Sequence, residues 1–132
     1  MKDIKIVKFL PGIAWFFVVL VLLCMPGKNV PSIGWLDKIY IDKWVHCGIF
    51  GLLALLFMLP FGLSQMDSKE KLQVFIRIAI ATSLWGIASE FIQKYWIAGR
   101  SFDLLDWAAD SFGALIAFAF CRIKFLSVAK NV

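Results

Sequence analysis

An all-α integral membrane bundle of four transmembrane helices is the fold this sequence predicts, and three observations carry the prediction. Of the 132 residues, 61% are hydrophobic and only 17% charged, against about 25% charged in ordinary soluble domains. A soluble domain this short has too little interior to hide that much apolar surface. The apolar residues fall into four long runs, each close to the roughly 17–25 residues that cross a hydrocarbon core. Length fits a single domain, and no internal repeat or low-complexity tract is present. The formal charge of +5 does not point to nucleic acid, because the basic residues form no cluster. They flank the apolar runs instead.

The first run covers residues 9–25 and follows Lys2, Lys5 and Lys8. A basic start before an apolar run is also how a signal peptide begins. No small-x-small cleavage site precedes Pro26-Gly27, and Leu23 stands before Cys24 where a lipoprotein signal needs a small residue. The run is therefore expected to be retained as a span. The second run covers residues 44–61, ending near Pro60 and Gly62, the third 72–96 and the fourth 104–120. The linker after the first span contains Pro26, Gly27, Pro31 and Gly34, and a short interfacial segment is expected over residues 35–41. Cys24, Cys47 and Cys121 show neither a disulfide framework nor zinc-ligand spacing. A Cys24–Cys47 bridge stays open, since both fall on the same side of the membrane.

Orientation follows from basic residues, which favour the cytoplasmic side. With the N-terminus inside, nine of the 14 Lys and Arg residues lie on inner flanks. Both termini are thus expected in the cytoplasm. Trp35, Trp44, Tyr95, Trp96 and Trp107 would then form an aromatic belt at the outer interface, where such rings are enriched.

His46, Glu90, Asp106 and Asp110 lie near one end of these runs, with Arg100 in the short loop beside them. Ionisable groups inside a span are costly, so a function is the default reading. At 1.5 Å per residue, Glu90 sits roughly 9 Å below the level of Trp96. His46 is one turn inside the second span, and Asp106 and Asp110 occupy the first two turns of the fourth. On the fourth span Asp103, Asp106, Asp110, Gly113 and Ala117 form a stripe at helical spacing. Ser83, Gly86, Glu90 and Gln93 do so on the third. The two stripes are expected to face each other, with Gly48 and Gly51 offering a close contact on the second span.

Structural readings compete. Asp103 reads as the cap of the fourth helix, with Asp106 favoured by the helix dipole. That effect fades after the first turn and leaves Asp110 unexplained. Glu90 with Gln93 could be interhelical glue, Lys94 could snorkel to an acid, and a lone His46 could be a helix-contact residue. Arg100 could simply neutralise the acids. Several such groups at one depth favour a site.

These residues, in this order, resemble the VanZ-like family of small bacterial membrane proteins. The matching pieces are Asp42-Lys43-Trp44-Val45-His46, Ser89-Glu90-Phe91-Ile92-Gln93, Gly99-Arg100-Ser101-Phe102-Asp103, and Asp106 followed by Asp110 and Gly113-Ala114. The family pattern is D-K-x-x-H, E-x-x-Q, G-R and D-x-x-x-N/D-x-x-G-A, and the resemblance spans residues 42–117. Many members carry Asn where this chain has Asp110, and Phe118 and Phe120 replace a second small residue common after G-A. The resemblance implies a multi-pass protein of the bacterial cytoplasmic membrane. The family's name comes from a protein associated with low-level resistance to the lipoglycopeptide teicoplanin, and no settled activity accompanies it.

Three functions are open. The first is non-catalytic binding of an envelope lipid or lipid-like ligand. Lys43 and Arg100 would hold an anionic headgroup, and His46, Glu90, Gln93, Asp106 and Asp110 would complete the site. In this reading the acids and Gln93 orient Arg100. The second is a membrane-embedded enzyme on a lipid-linked envelope substrate, with His46 or Glu90 as general base. The third is a proton-coupled carrier or accessory subunit. Ligand binding is the leading expectation, with membrane lipids or a lipid-linked envelope intermediate as partners and a homodimer open. No cofactor and no metal are expected, because one His among carboxylates does not match a structural zinc site.

Overall fold

A computed structural model describes residues 3–26, 34, 35 and 41–126. Most of the expected interfacial segment at 35–41 lies outside these residues. Among the described residues the chain is all-helical, with four helices long and apolar enough to cross a membrane. That is the architecture of a multi-pass membrane protein. A 3-10 turn, Ile6–Phe9, leads into α1, Leu10–Leu23. Then follow α2, Ile41–Gly62, α3, Ser68–Trp96, and α4, Leu104–Leu126.

α2 and α3 begin before their apolar runs because polar residues start them, and α4 continues past its run through Arg122 and Lys124. Asp67 accepts from Glu70 N at 2.9 Å and starts α3 four residues before the apolar run. The Asp-x-x-Glu spacing is that of a capping box. Between α3 and α4 the chain reverses in a tight turn, where Arg100 N donates to Ile97 O at 3.3 Å. Gly99, at φ 74°, supplies the positive φ that the third position of a type II turn requires.

Successive helices run antiparallel, so α2 and α4 are parallel neighbours. At one end the Phe9 ring packs tilted against Phe61, and Phe75 against Phe125. Ala54, Met58, Phe75, Ala114, Ala117 and Cys121 form an apolar core there. At the other end α1 finishes against α3, where Gln93 Nε2 donates to Leu23 O at 3.1 Å. Midway, Trp15 Nε1 donates to Ile49 O at 2.9 Å and fixes α1 to α2. Val19, Leu23 and Phe50 pack beneath that bond.

The tightest approach joins α2 to α4. A Cβ on Gly113 would strike the Cys47 carbonyl oxygen and the Gly51 nitrogen, both backbone atoms. This corrects the expected facing of stripes. The α4 stripe divides: Asp110 turns toward α3 and His46, while Gly113 and Ala117 turn toward α2. Gly113 has no side chain, so it serves the neighbour whose backbone comes closest. Gly51 shares this contact, whereas nothing lies within 4 Å of a Cβ placed on Gly48. Cys24, Cys47 and Cys121 are free thiols, so the Cys24–Cys47 bridge is not formed.

Candidate functional site

The helix starts of α2 and α4 lie side by side at one end of the bundle, with the last turns of α1 and α3 beside them. Two helix N-termini carry positive dipole ends, which favour acidic side chains. Asp42, Asp103 and Asp106 occupy those first positions. Lys43 Nζ sits among them, 2.7 Å from Asp42 Oδ2, 2.6 Å from Asp103 Oδ2 and 2.6 Å from Asp106 Oδ1. An ammonium has three donors, and all three are used. Asp103 also accepts from Leu105 N at 2.9 Å through its other oxygen, in the manner of an N-cap. The hydrogen bond from Lys43 holds the Asp103 carboxyl below the ordinary carboxylate range.

One turn deeper the groups are buried. His46 Nδ1 lies 2.8 Å from Asp110 Oδ1, and its Nε2 lies 3.5 Å from Asp106 Oδ2. Glu90 Oε2 accepts from Asp103 N at 3.0 Å, which ties the end of α3 to the start of α4. Glu90 and Asp110 are both 0% exposed. Each retains one oxygen, Glu90 Oε1 and Asp110 Oδ2, without a hydrogen-bond partner. Gly86 is small because Asp110 leans on it: a Cβ there would come within 3.0 Å of Asp110 Oδ2.

Two triads have the spacing of ion ligands. One ligand atom from each of His46, Glu90 and Asp110 lies within 4.8 Å of the others, and Asp42, Asp103 and Asp106 match the same criterion. In the second triad the Lys43 ammonium already provides the positive charge. The first has no ammonium or guanidinium bonded to it among the described residues.

Arg100 and Gln93 stand apart from the carboxylates. Arg100 Nε donates to Met25 O at 3.0 Å, and Gln93 donates to Leu23 O. The expected orientation of Arg100 by the acids and Gln93 is thus absent among the described residues. Both side chains instead take carbonyls that the end of α1 leaves free, as helix C-termini require partners. The terminal nitrogens of Arg100 have no partner among the described residues. Trp107 departs from the aromatic belt as well: its Nε1 donates to Ser83 O at 3.0 Å. Trp44, Tyr95 and Trp96 are exposed. The capping of α4 by Asp103 could be read from sequence, but its simultaneous bond to Lys43 could not. From sequence, Asp42 was legible as the first residue of the D-K-x-x-H piece, without a role in the site.

Below His46, the close approach of α2 and α4 leaves an open apolar groove of about 380 Å³. Cys47 and Gly48 form its upper end, and Leu52, Leu55, Ile116 and Phe120 continue it toward the apolar end. No family model, curated protein or solved structure matches the chain.

Proposed function

We propose that this chain is a protein of the bacterial cytoplasmic membrane that binds an envelope lipid or lipid-like ligand, such as a lipoglycopeptide. The headgroup would sit at the polar end and the acyl chain in the groove between α2 and α4. The observation that carries this reading is the proximity of the two. Cys47, at the end of the apolar groove, follows His46 in the chain, and Gly113 lies one turn below Asp110, so a single amphipathic molecule would reach both.

The bonds of Lys43 and Arg100 favour different headgroup roles for the two. Lys43 is committed to three carboxylates and serves as the organising cation of the rim. Arg100, with its terminal nitrogens unpaired among the described residues, is the group that receives an anionic headgroup. Asp42 and Asp106 accept from headgroup hydroxyls or amines. The excess of basic residues on the opposite flanks supports placing this end on the outer side of the membrane.

A second reading has its own observation. The 2.8 Å contact between His46 and Asp110 fixes the imidazole, as an acid does when it orients a general base. His46 would then activate water against a lipid-linked envelope substrate. Ser89 is a poor nucleophile, since its hydroxyl is spent on Gly86 O.

Native mass spectrometry of protein released from its own membrane tests the first reading. Ligand binding predicts an adduct on the wild type that Arg100→Ala loses and Glu90→Gln retains. An enzyme predicts that Glu90→Gln or His46→Gln keeps the adduct and accumulates unreacted substrate. Equal adducts on all variants would sink the site at this end.

A further inference from the structure

Two fully buried carboxylates face each other across α3 and α4 with half of their oxygens unused. Leaving a buried charged oxygen without a partner incurs the full desolvation penalty of that group. A membrane interior offers no bulk water to relieve it. Glu90 Oε1 and Asp110 Oδ2 are both in this condition. The Asp110 oxygen is aimed at the space that the missing Gly86 side chain leaves open. On α3 that space lies one turn from Glu90.

We propose that His46, Glu90 and Asp110 form a binding site for one divalent transition-metal ion. Charge supports it: two carboxylates and one divalent ion sum to zero, the balance a low-dielectric interior favours. Donor chemistry supports it as well. Carboxylate oxygens suit harder ions such as Mn²⁺, and an imidazole extends the range toward Fe²⁺ and Zn²⁺. The three ligand atoms already lie within 4.8 Å of one another, a spacing that one ion can share. Three protein ligands leave positions open for water or for an oxygen of a bound molecule. Asp103 N, donating to Glu90 Oε2, is an outer partner of the kind that fixes a metal ligand's orientation.

The rim triad of Asp42, Asp103 and Asp106 is a natural comparison. It has the same spacing, but Lys43 occupies its centre. A site filled by an ammonium has no vacancy for a metal. Of the three side chains, His46 is the one that remains partly open, at 9% exposure, and offers the ion its way in.

This inference stands apart from the lipid reading, because it is measured on the purified chain without added lipid ligand. Metal-stripped protein in lipid nanodiscs is titrated with Mn²⁺ and followed by electron paramagnetic resonance, with Zn²⁺ as competitor. One Mn²⁺ per chain is expected, displaced by Zn²⁺ and showing nitrogen coupling from one imidazole. Asp110→Asn and His46→Gln should weaken binding by more than about tenfold, since even outer partners of metal ligands cost 10–100-fold. Asp67→Asn, at the α3 N-cap on the opposite end of the bundle, should bind as the wild type does. Thermal unfolding of each variant shows that it is folded. The wild type alone can overturn the proposal, by binding no stoichiometric Mn²⁺ or Zn²⁺ or by binding Mn²⁺ without nitrogen coupling. A protonated-carboxyl infrared band that persists in wild type at saturating Mn²⁺ and is absent in Glu90→Gln would overturn it too, because a bound ion displaces that proton.

Discussion

At the apolar end of the bundle, α2, α3 and α4 meet through Ala54, Met58, Phe75, Ala114, Ala117 and Cys121. At the other end the same three helices meet through Lys43, His46, Glu90, Asp106 and Asp110. In lipid the first kind of contact gains little from the hydrophobic effect, because acyl chains are as apolar as the residues themselves. It depends on shape and dispersion. The second kind supplies hydrogen bonds averaging only about 0.6 kcal/mol each in membranes. It also carries two carboxylate oxygens with no partner. On the proposed reading, stability resides in the apolar end and the polar end is retained for binding.

The contrast can be broken most forcefully where the two ends join. Gly113→Val would push a side chain into the Cys47 carbonyl and the Gly51 nitrogen, which cannot rotate away. A loss of about 3 kcal/mol or more is expected, read as a lower midpoint in denaturant titration of detergent-solubilised protein. Gly48→Ala, one turn away on the open groove, should stay within about 0.5 kcal/mol. Equal effects at the two glycines would contradict the α2–α4 approach.

Phe75→Ala tests the apolar end itself. Phe75 is fully buried, and its removal should cost about 3 kcal/mol, the low end of the usual range because lipid partly replaces the lost contacts. The adduct seen by mass spectrometry should survive. At the polar end Glu90→Gln should change stability by less than about 1 kcal/mol, since it trades one hydrogen bond against an unpaired charge. A cost as large as that of Phe75→Ala would make Glu90 structural.

The smallest effect concerns Asp103. Lys43 holds its carboxyl below the ordinary range, so the folded state binds a proton there less readily than the unfolded chain. The stability this contributes is present above the unfolded carboxylate range and is lost as pH falls through the lower, folded value. Unfolding followed from pH 7 downward should show a weak acid destabilisation that Asp103→Asn removes. An unchanged acid profile in that variant would place the destabilisation on other carboxylates.

Much of this was legible in the sequence. Run length gave the four helices, and depth counting placed His46, Glu90, Asp106 and Asp110 at one level because a helix converts position into height. What spacing could not convey was azimuth between neighbours. The α4 stripe was read as one face toward α3, yet Gly113 serves α2, and Asp110 leans on Gly86 of α3 while bonding His46 of α2. Lys43 and Arg100 looked alike as headgroup cations. Only three-dimensional proximity shows that Lys43 is consumed by acids from α2 and α4, while Arg100 takes a carbonyl of the α1 end. Polar helix starts also escaped the apolar count, so α3 begins at Ser68 rather than at 72.

The most direct test measures adduct retention and thermal unfolding on the same three proteins: Arg100→Ala, His46→Gln and Phe75→Ala. Binding at the polar end predicts that Arg100→Ala loses the adduct while unfolding near the wild-type temperature. His46→Gln should also unfold normally, and Phe75→Ala should do the reverse, keeping the adduct and unfolding early. Polar-end variants that unfold as early as Phe75→Ala with their adducts intact would show that the charged cluster is helix glue, and the functional account would fall.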